Sequence, residues 1–200
     1  MTHRPCSLAA TLLLAAGAAH AQTPGTVVIE VDEPLLAPGA STTVRLLAGY
    51  GGDDYSMAGI ATSLLADAGG RDVSGAWSDW ALVAPMDGPG TTAGVAEGNG
   101  FAGIIAGQLN FPIGGIFSEP DPNPTPFWAA TFTAPLDDDG FTVDLSTLTT
   151  RFEVYVDRFS SRSESRMDGL TEGAATIFVV PAPASALVLA LGLAGVRRRR

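Results

Sequence analysis

A chain of 200 residues with 21 acidic and 11 basic side chains, a formal charge of −10 and 46% apolar residues has the length of one ordinary domain with short extensions, and its acidity sets nucleic acid and anionic lipid headgroups aside as partners. Every basic residue is arginine, and Arg4 with Arg197 to Arg200 stand in the terminal segments, so residues 22–180 carry six arginines against all 21 carboxylates, a net −15. His3, Cys6 and His20 also precede residue 22, which excludes from 22–180 a Ser-His-Asp triad, a Cys-His pair, a Schiff-base lysine, His or Cys zinc ligands and any disulfide.

In chain order, Arg4, an apolar or small-residue run over 8–19 and Ala19-His20-Ala21 follow the charged, hydrophobic and cleavage-site order of a secretory signal. Twelve helical residues reach about 18 Å against a hydrocarbon core of about 30 Å, too short for a permanent span. Ala19 and Ala21 supply the small residues at spacing two, and the expected cut follows Ala21, taking Cys6 away with the signal. The expected organisation is a signal peptide over 1–21, one exported domain over 22–180 and a tail over 181–200.

Nine strands are expected within that domain, at 26–31, 42–48, 57–65, 77–84, 101–111, 127–133, 141–145, 152–157 and 175–180, separated by connections rich in Gly and Pro. Phe141, Val143 and Leu145 alternate with Thr142 and Asp144, and Phe152, Val154 and Val156 with Glu153, Tyr155 and Asp157, the period of a half-buried strand. Leu136-Asp137-Asp138-Asp139-Gly140 lies between two such strands and predicts a hairpin turn. Residues 60–68 allow one or two helical turns; no other stretch carries a helical stripe. Two loops stand out: 85–100, dominated by Gly and Thr, and 119–126, where alternate prolines predict an extended polyproline stretch. The fold class expected is all-β, an antiparallel β-sandwich or jelly roll, flanked by the signal peptide and a short C-terminal hydrophobic helix. Val27-Val28-Ile29-Glu30-Val31, the turn Ala37-Pro38-Gly39 and Thr43-Val44-Arg45-Leu46 resemble the opening of cohesin-like sandwiches.

Ligand chemistry is sparse. Glu119, Asp121 and Asn123, and separately Asp137, Asp138 and Asp139, offer oxygens for calcium, but neither group has the D-x-[DN]-x-[DN]-G spacing that gathers six to eight ligands. Solvated turn carboxylates are expected, and no metal or cofactor is assigned. Trp77, Trp80 and Trp128 could stack on sugar rings or pack the core, and the core is the expectation. Arg158, Arg162 and Arg166, interspersed with serines, form the basic cluster of an acidic domain; it could grip an acidic extracellular polysaccharide or be a solvated loop, and the loop is expected. A glycosidase needs two carboxylates about 5 to 9.5 Å apart, a pair that 21 acids supply by chance. No catalytic residue is assigned.

At the end, Val180, Pro181, Ala182 and Pro183 precede an apolar run over 186–196 and then Arg197, Arg198, Arg199 and Arg200. This order resembles the PEP-CTERM sorting signal, with Ala182 where the name-giving motif has glutamate. The resemblance implies recognition by a membrane transpeptidase-like exosortase and a bacterial setting in which exopolysaccharide is made. Without it, 184–196 as a helix covers about 20 Å, short of a span, and the two prolines oppose its extension toward the domain. The arginines are expected to stay cytoplasmic, so the tail is either a processed signal held transiently in the membrane or a plain anchor. The function expected is a non-catalytic structural or interaction protein at the cell surface or in the extracellular matrix. A carbohydrate-binding module is the alternative, and a carboxylate-based glycoside hydrolase comes third.

Overall fold

The computed structural model describes residues 23–110, 115, 122–136 and 140–181. Two sheets face each other. The smaller runs in the order β1 (Thr26–Val31), β3 (Ser41–Gly49), β8 (Thr125–Thr133) and β5 (Trp77–Leu82). The larger runs β2 (Leu35–Leu36), β11 (Ala174–Val179), β9 (Phe141–Tyr155), β4 (Ser56–Asp67), β7 (Gly100–Gly107) and β6 (Val95–Glu97), with β10 (Glu164–Ser165) added to β9. The short β2–β11 pairing is parallel, while the long ladders are antiparallel, so the expected all-β sandwich is the fold.

The alternation read from the sequence sorts side chains between core and surface. Val44 and Leu46 from the small sheet meet Ile60, Leu64, Ile104, Val143 and Ile177 from the large one, all fully buried. Aromatic rings bridge the layers: Phe101 of the large sheet lies edge-on to Trp77 at 5.5 Å and to Trp128 at 4.9 Å, both from the small sheet. Each such pair contributes about 0.5–1.5 kcal/mol beyond area burial. The indole N–H groups are satisfied inside the fold, Trp77 Nε1 donating to Asn99 O at 2.7 Å and Trp128 Nε1 to Ala93 O at 3.0 Å.

Several local expectations are corrected. The strands expected at 141–145 and 152–157 are one 15-residue strand, β9. Its middle read as a break because Thr147 and Thr149 occupy inward positions; they are buried there and donate through Oγ1 to the Glu172 carboxylate at 2.6 and 2.8 Å, which replaces apolar packing by hydrogen bonds. Thr150 is the extra residue of a bulge opposite Ala61 and Thr62. The hairpin expected at 136–140 does not form: β8 pairs with β3 and β5, β9 with β4 and β11, so the chain crosses from one sheet to the other. A turn-rich sequence between two strands marks a reversal without saying which strands pair. Residues 60–68 continue β4 as far as Asp67 rather than turning into helix. The loop over 85–100 contains β6 and isolated bridges to β7, and 125–126 belong to β8 rather than to a polyproline stretch. The C-terminal hydrophobic helix and the signal peptide lie outside the described residues. Among the described residues no helix is long and apolar enough to cross a membrane.

Candidate interaction surface

The register of the large sheet decides what its outer face presents. Leu65 stands opposite Ser146, Leu148 opposite Ser63, Ile105 opposite Ala61, Val95 opposite Ala102, and Phe178 opposite both Thr142 and Leu35. Leu35, Leu65, Val95, Ile105, Leu148 and Phe178 are each 40–65% exposed. Six of the eleven exposed large apolar side chains among the described residues thus share one face, a concentration that marks an interaction surface more than scattered exposure would.

Within this face lies a groove of about 590 Å³ crossing β9, β4, β7 and β6, with Leu65, Leu148 and Ala102 among its walls. Its floor depends on Gly100, where a Cβ would stand 2.1 Å from the Leu64 carbonyl oxygen, so any side chain would force β7 off β4. Gly103, at φ 67°, then takes the bulge that returns Ile104 to the core. Three carboxylates rim the groove, Asp67, Glu97 and Asp144, and no arginine lines it. Asp67 and Asp144 are direct cross-strand partners, an arrangement of like charges that costs sheet stability. Hydrogen bonds offset part of this, from Gly69 N–H to Asp67 at 2.9 Å and from Thr176 Oγ1 to Asp144 at 2.7 Å.

Further along the same face a smaller hollow of about 210 Å³ is bounded by Ile105, Arg151 and Glu153. Here the charges are matched: Arg151 pairs with Glu153 at 2.6 Å, and Ser163 Oγ donates to the same carboxylate at 2.6 Å. The Arg151 hydrogen bond is the main cause holding the Glu153 carboxyl below its ordinary range. One end of the face is therefore purely acidic and the other internally neutralised.

The residues singled out from the sequence distribute unevenly. Trp77 and Trp128 are core residues, as expected; Trp80, 39% exposed, leans on Phe101 at 5.2 Å. Three tryptophans on one sugar-stacking platform are therefore ruled out. The basic cluster is split, because Arg166 is buried: its Nε and Nη2 hold both oxygens of Asp54 at 3.1 and 2.6 Å. Asn123 is engaged with backbone, its Oδ1 accepting from Tyr50 N–H at 3.2 Å and its Nδ2 donating to Tyr50 O at 2.7 Å. Val180 and Pro181 close the fold after β11, whereas Ala19, Ala21, Ala182, Pro183 and Arg197 to Arg200 lie outside the described residues, as do Glu119, Asp121 and Asp137 to Asp139. Sequence reasoning missed the groove itself. Its available signal was Leu65 and Leu148 falling at outward positions of strands whose inward positions were already filled.

Chemically the groove offers apolar walls and fixed negative charge. Paired acids in a hollow invite a hydrolase reading, but acid and base roles require contrasting surroundings, and Asp67 and Asp144 are both exposed and both hydrogen-bonded.

No protein-family model matches the chain, and no curated protein does. Among solved structures it is similar to the seventh ScaB type I cohesin from Pseudobacteroides cellulosolvens, with a TM-score of 0.52 and 15% identity over 80% of this chain and 95% of that one. A cohesin module of a family 33 glycoside hydrolase from Clostridium perfringens aligns at a TM-score of 0.41 and 11% identity, over 79% and 98% of the two chains. The cohesin of a type I cohesin–dockerin complex from Clostridium thermocellum aligns at 0.42 and 12%, over 74% and 96%. The first of these fixes the fold and nothing beyond it: the sandwich is cohesin-like, as its opening strands resemble.

Proposed function

We propose that this protein is an exported, non-catalytic interaction module that docks a protein partner on the outer face of its large sheet, and that its tail is a sorting signal. The observation that carries the reading is the apolar groove between Leu65 and Leu148 with Asp67, Glu97 and Asp144 on its rim. Covering a Leu side chain gains about 1.5–3 kcal/mol, and an unneutralised acidic rim selects a cation. The partner is a polypeptide segment that presents apolar anchors flanked by Arg or Lys. The net −15 of residues 22–180 steers such a segment in and repels acidic competitors. Composition supports a non-catalytic role, since 22–180 has none of the histidine, cysteine or lysine on which most nucleophilic and zinc chemistry rests.

Export and sorting rest on the two ends. The signal-like segment ending at Ala21 sends the chain across the membrane, and the V-P-x-P stretch with its apolar run and four arginines stops it there for an exosortase-type enzyme, before release to the surface or the extracellular matrix.

Panning a displayed peptide library against the purified protein tests the docking face, with Leu65→Asp/Leu148→Asp as counter-target and a glycan array in parallel. Sequences combining apolar and basic residues should be enriched, lose affinity for the variant and weaken in salt. Glycan binding with no peptide selection would move the assignment to a carbohydrate-binding module.

A further inference from the structure

We propose that the sandwich itself fixes where the tail can be processed: Gly140 and the β2 edge hold Val180 and Pro181, confining cleavage to residues 182–185. This rests on the reading of the tail as a processed sorting signal.

β11 ends at the buried Val179, yet its backbone pairing runs on. Phe178 N–H donates to Pro34 O at 2.7 Å and Val180 N–H to Leu36 O at 2.9 Å, which carries the parallel pairing with β2 one residue beyond the strand. Pro181 has no N–H and cannot extend the ladder; its ring packs on Gly140 instead. A Cβ on Gly140 would meet Pro181 Cδ at 2.7 Å and Cγ at 3.0 Å, and the Val179 carbonyl oxygen at 3.1 Å. That glycine is therefore required by the close approach of the proline, and the first two residues of the V-P-x-P stretch are part of the fold rather than of a linker.

A processing enzyme takes its substrate as an extended backbone. Cutting at or before Pro181 requires stripping β11 from β2, whereas residues beyond Pro181 have no such contact to break. The other limit is the apolar run that begins at Ala186. Four residues span at most about 14 Å, little more than the headgroup layer, so the window opens at the membrane surface, with the sandwich edge as its upper wall. Gly140 is a positioning residue for a reaction more than forty positions along the chain.

Two measurements test this. The full-length protein in detergent is digested with a proline-specific endoprotease, and the mature C-terminus from its own cells is read by mass spectrometry. Cutting after Pro183 should be at least roughly tenfold faster than after Pro181, and the mature terminus should fall within 182–185. Gly140→Ala should bring the two proline rates within about threefold and move mature termini upstream of Ala182, while the thermal melt stays cooperative. Equal rates at both prolines in the wild type, which needs no variant, would overturn the seat. A mature wild-type terminus at or before Pro181, or a Gly140→Ala pattern identical to wild type, would overturn the confinement. An intact Arg200 on the mature protein sinks the sorting-signal reading and the confinement together, and leaves the protease ratio to report on the seat alone.

Discussion

The outer faces of the two sheets are made from strands of similar length and opposite character. On the small sheet the outward positions of β3 and β8 hold Ser41, Thr43, Arg45, Thr131 and Thr133. Ser41 and Thr133 share a hydroxyl hydrogen bond at 2.8 Å, and Arg45 reaches Asp32. On the large sheet the corresponding positions hold Leu65, Ile105, Leu148 and Phe178. Threonine satisfies both the preference of strands for β-branched residues and the demand of an exposed face for polarity. Leucine satisfies neither, so Leu65 and Leu148 are explained by something that covers them and not by the sheet they sit in.

The largest expected effect asks whether the faces share one foundation. Trp128 belongs to the small sheet but packs on Phe101 of the large one at 4.9 Å and is fully buried. Trp128→Ala should cost about 3–5 kcal/mol, seen as a single urea transition at a much lower midpoint. Two separated transitions would mean that the sheets are independent units and that their faces should not be compared as parts of one body.

A second contrast sets two arginine pairs against each other. Arg166 and Asp54 are 5% and 7% exposed, whereas Arg45 and Asp32, at the edge of the small sheet, are 36% and 45% exposed. Asp54→Ala strands a buried guanidinium and should destabilise by about 3 kcal/mol; Asp32→Ala should cost about 1 kcal/mol or less. Similar costs for both, measured by urea denaturation, would break the distinction.

Next comes docking. Leu65→Asp/Leu148→Asp should weaken a selected apolar and basic peptide by about 100-fold, equivalent to about 2.7 kcal/mol, with little change in unfolding free energy because both side chains are already exposed. Thr43→Asp/Thr131→Asp on the opposite face should leave the affinity within about twofold. Titration calorimetry reads both, and equal losses would reduce the effect to net charge.

The same contrasts show what the sequence could disclose. The all-β class was legible because period two and Gly/Pro punctuation are local, and most of the long strands fall where alternation places them. Pairing was not: nothing between Leu136 and Gly140 says that β9 joins the opposite sheet. The inward threonines of β9 disguised one strand as two, because their partner Glu172 arrives from 23 to 25 residues away. Arg166 looked like a member of a basic cluster until Asp54, 112 residues distant, took it inside. The groove is a product of register, with Leu65, Leu148 and Ala102 contributed by three strands.

The smallest effect tests whether the faces also differ in their response to acid. Asp32 on the small-sheet side and Glu153 on the large-sheet face are both held below the ordinary carboxylate range, chiefly by hydrogen bonds from Arg45 and Arg151 respectively. A carboxylate whose value is depressed on folding contributes stability that is present above its unfolded value, about 3.9 for Asp and 4.3 for Glu, and that disappears as pH falls through the folded value. Both pairs therefore favour the fold at neutral pH and lose their contribution on the acid side of about pH 4. Each is partly exposed, so solvent and salt screening keep the effect below about 1 kcal/mol. Arg45→Gln and Arg151→Gln should each slightly flatten the decline in urea midpoint between about pH 7 and pH 3, and added salt should shrink the difference. Glu153 keeps the Ser163 hydroxyl after Arg151 is removed, whereas Asp32 retains a lesser hydrogen bond attributed to Thr43, so some acid dependence should survive in each variant. An acid limb flattened only by Arg151→Gln would extend the difference between the faces from shape to charge, and one that neither variant changes would show that the decline originates in other carboxylates.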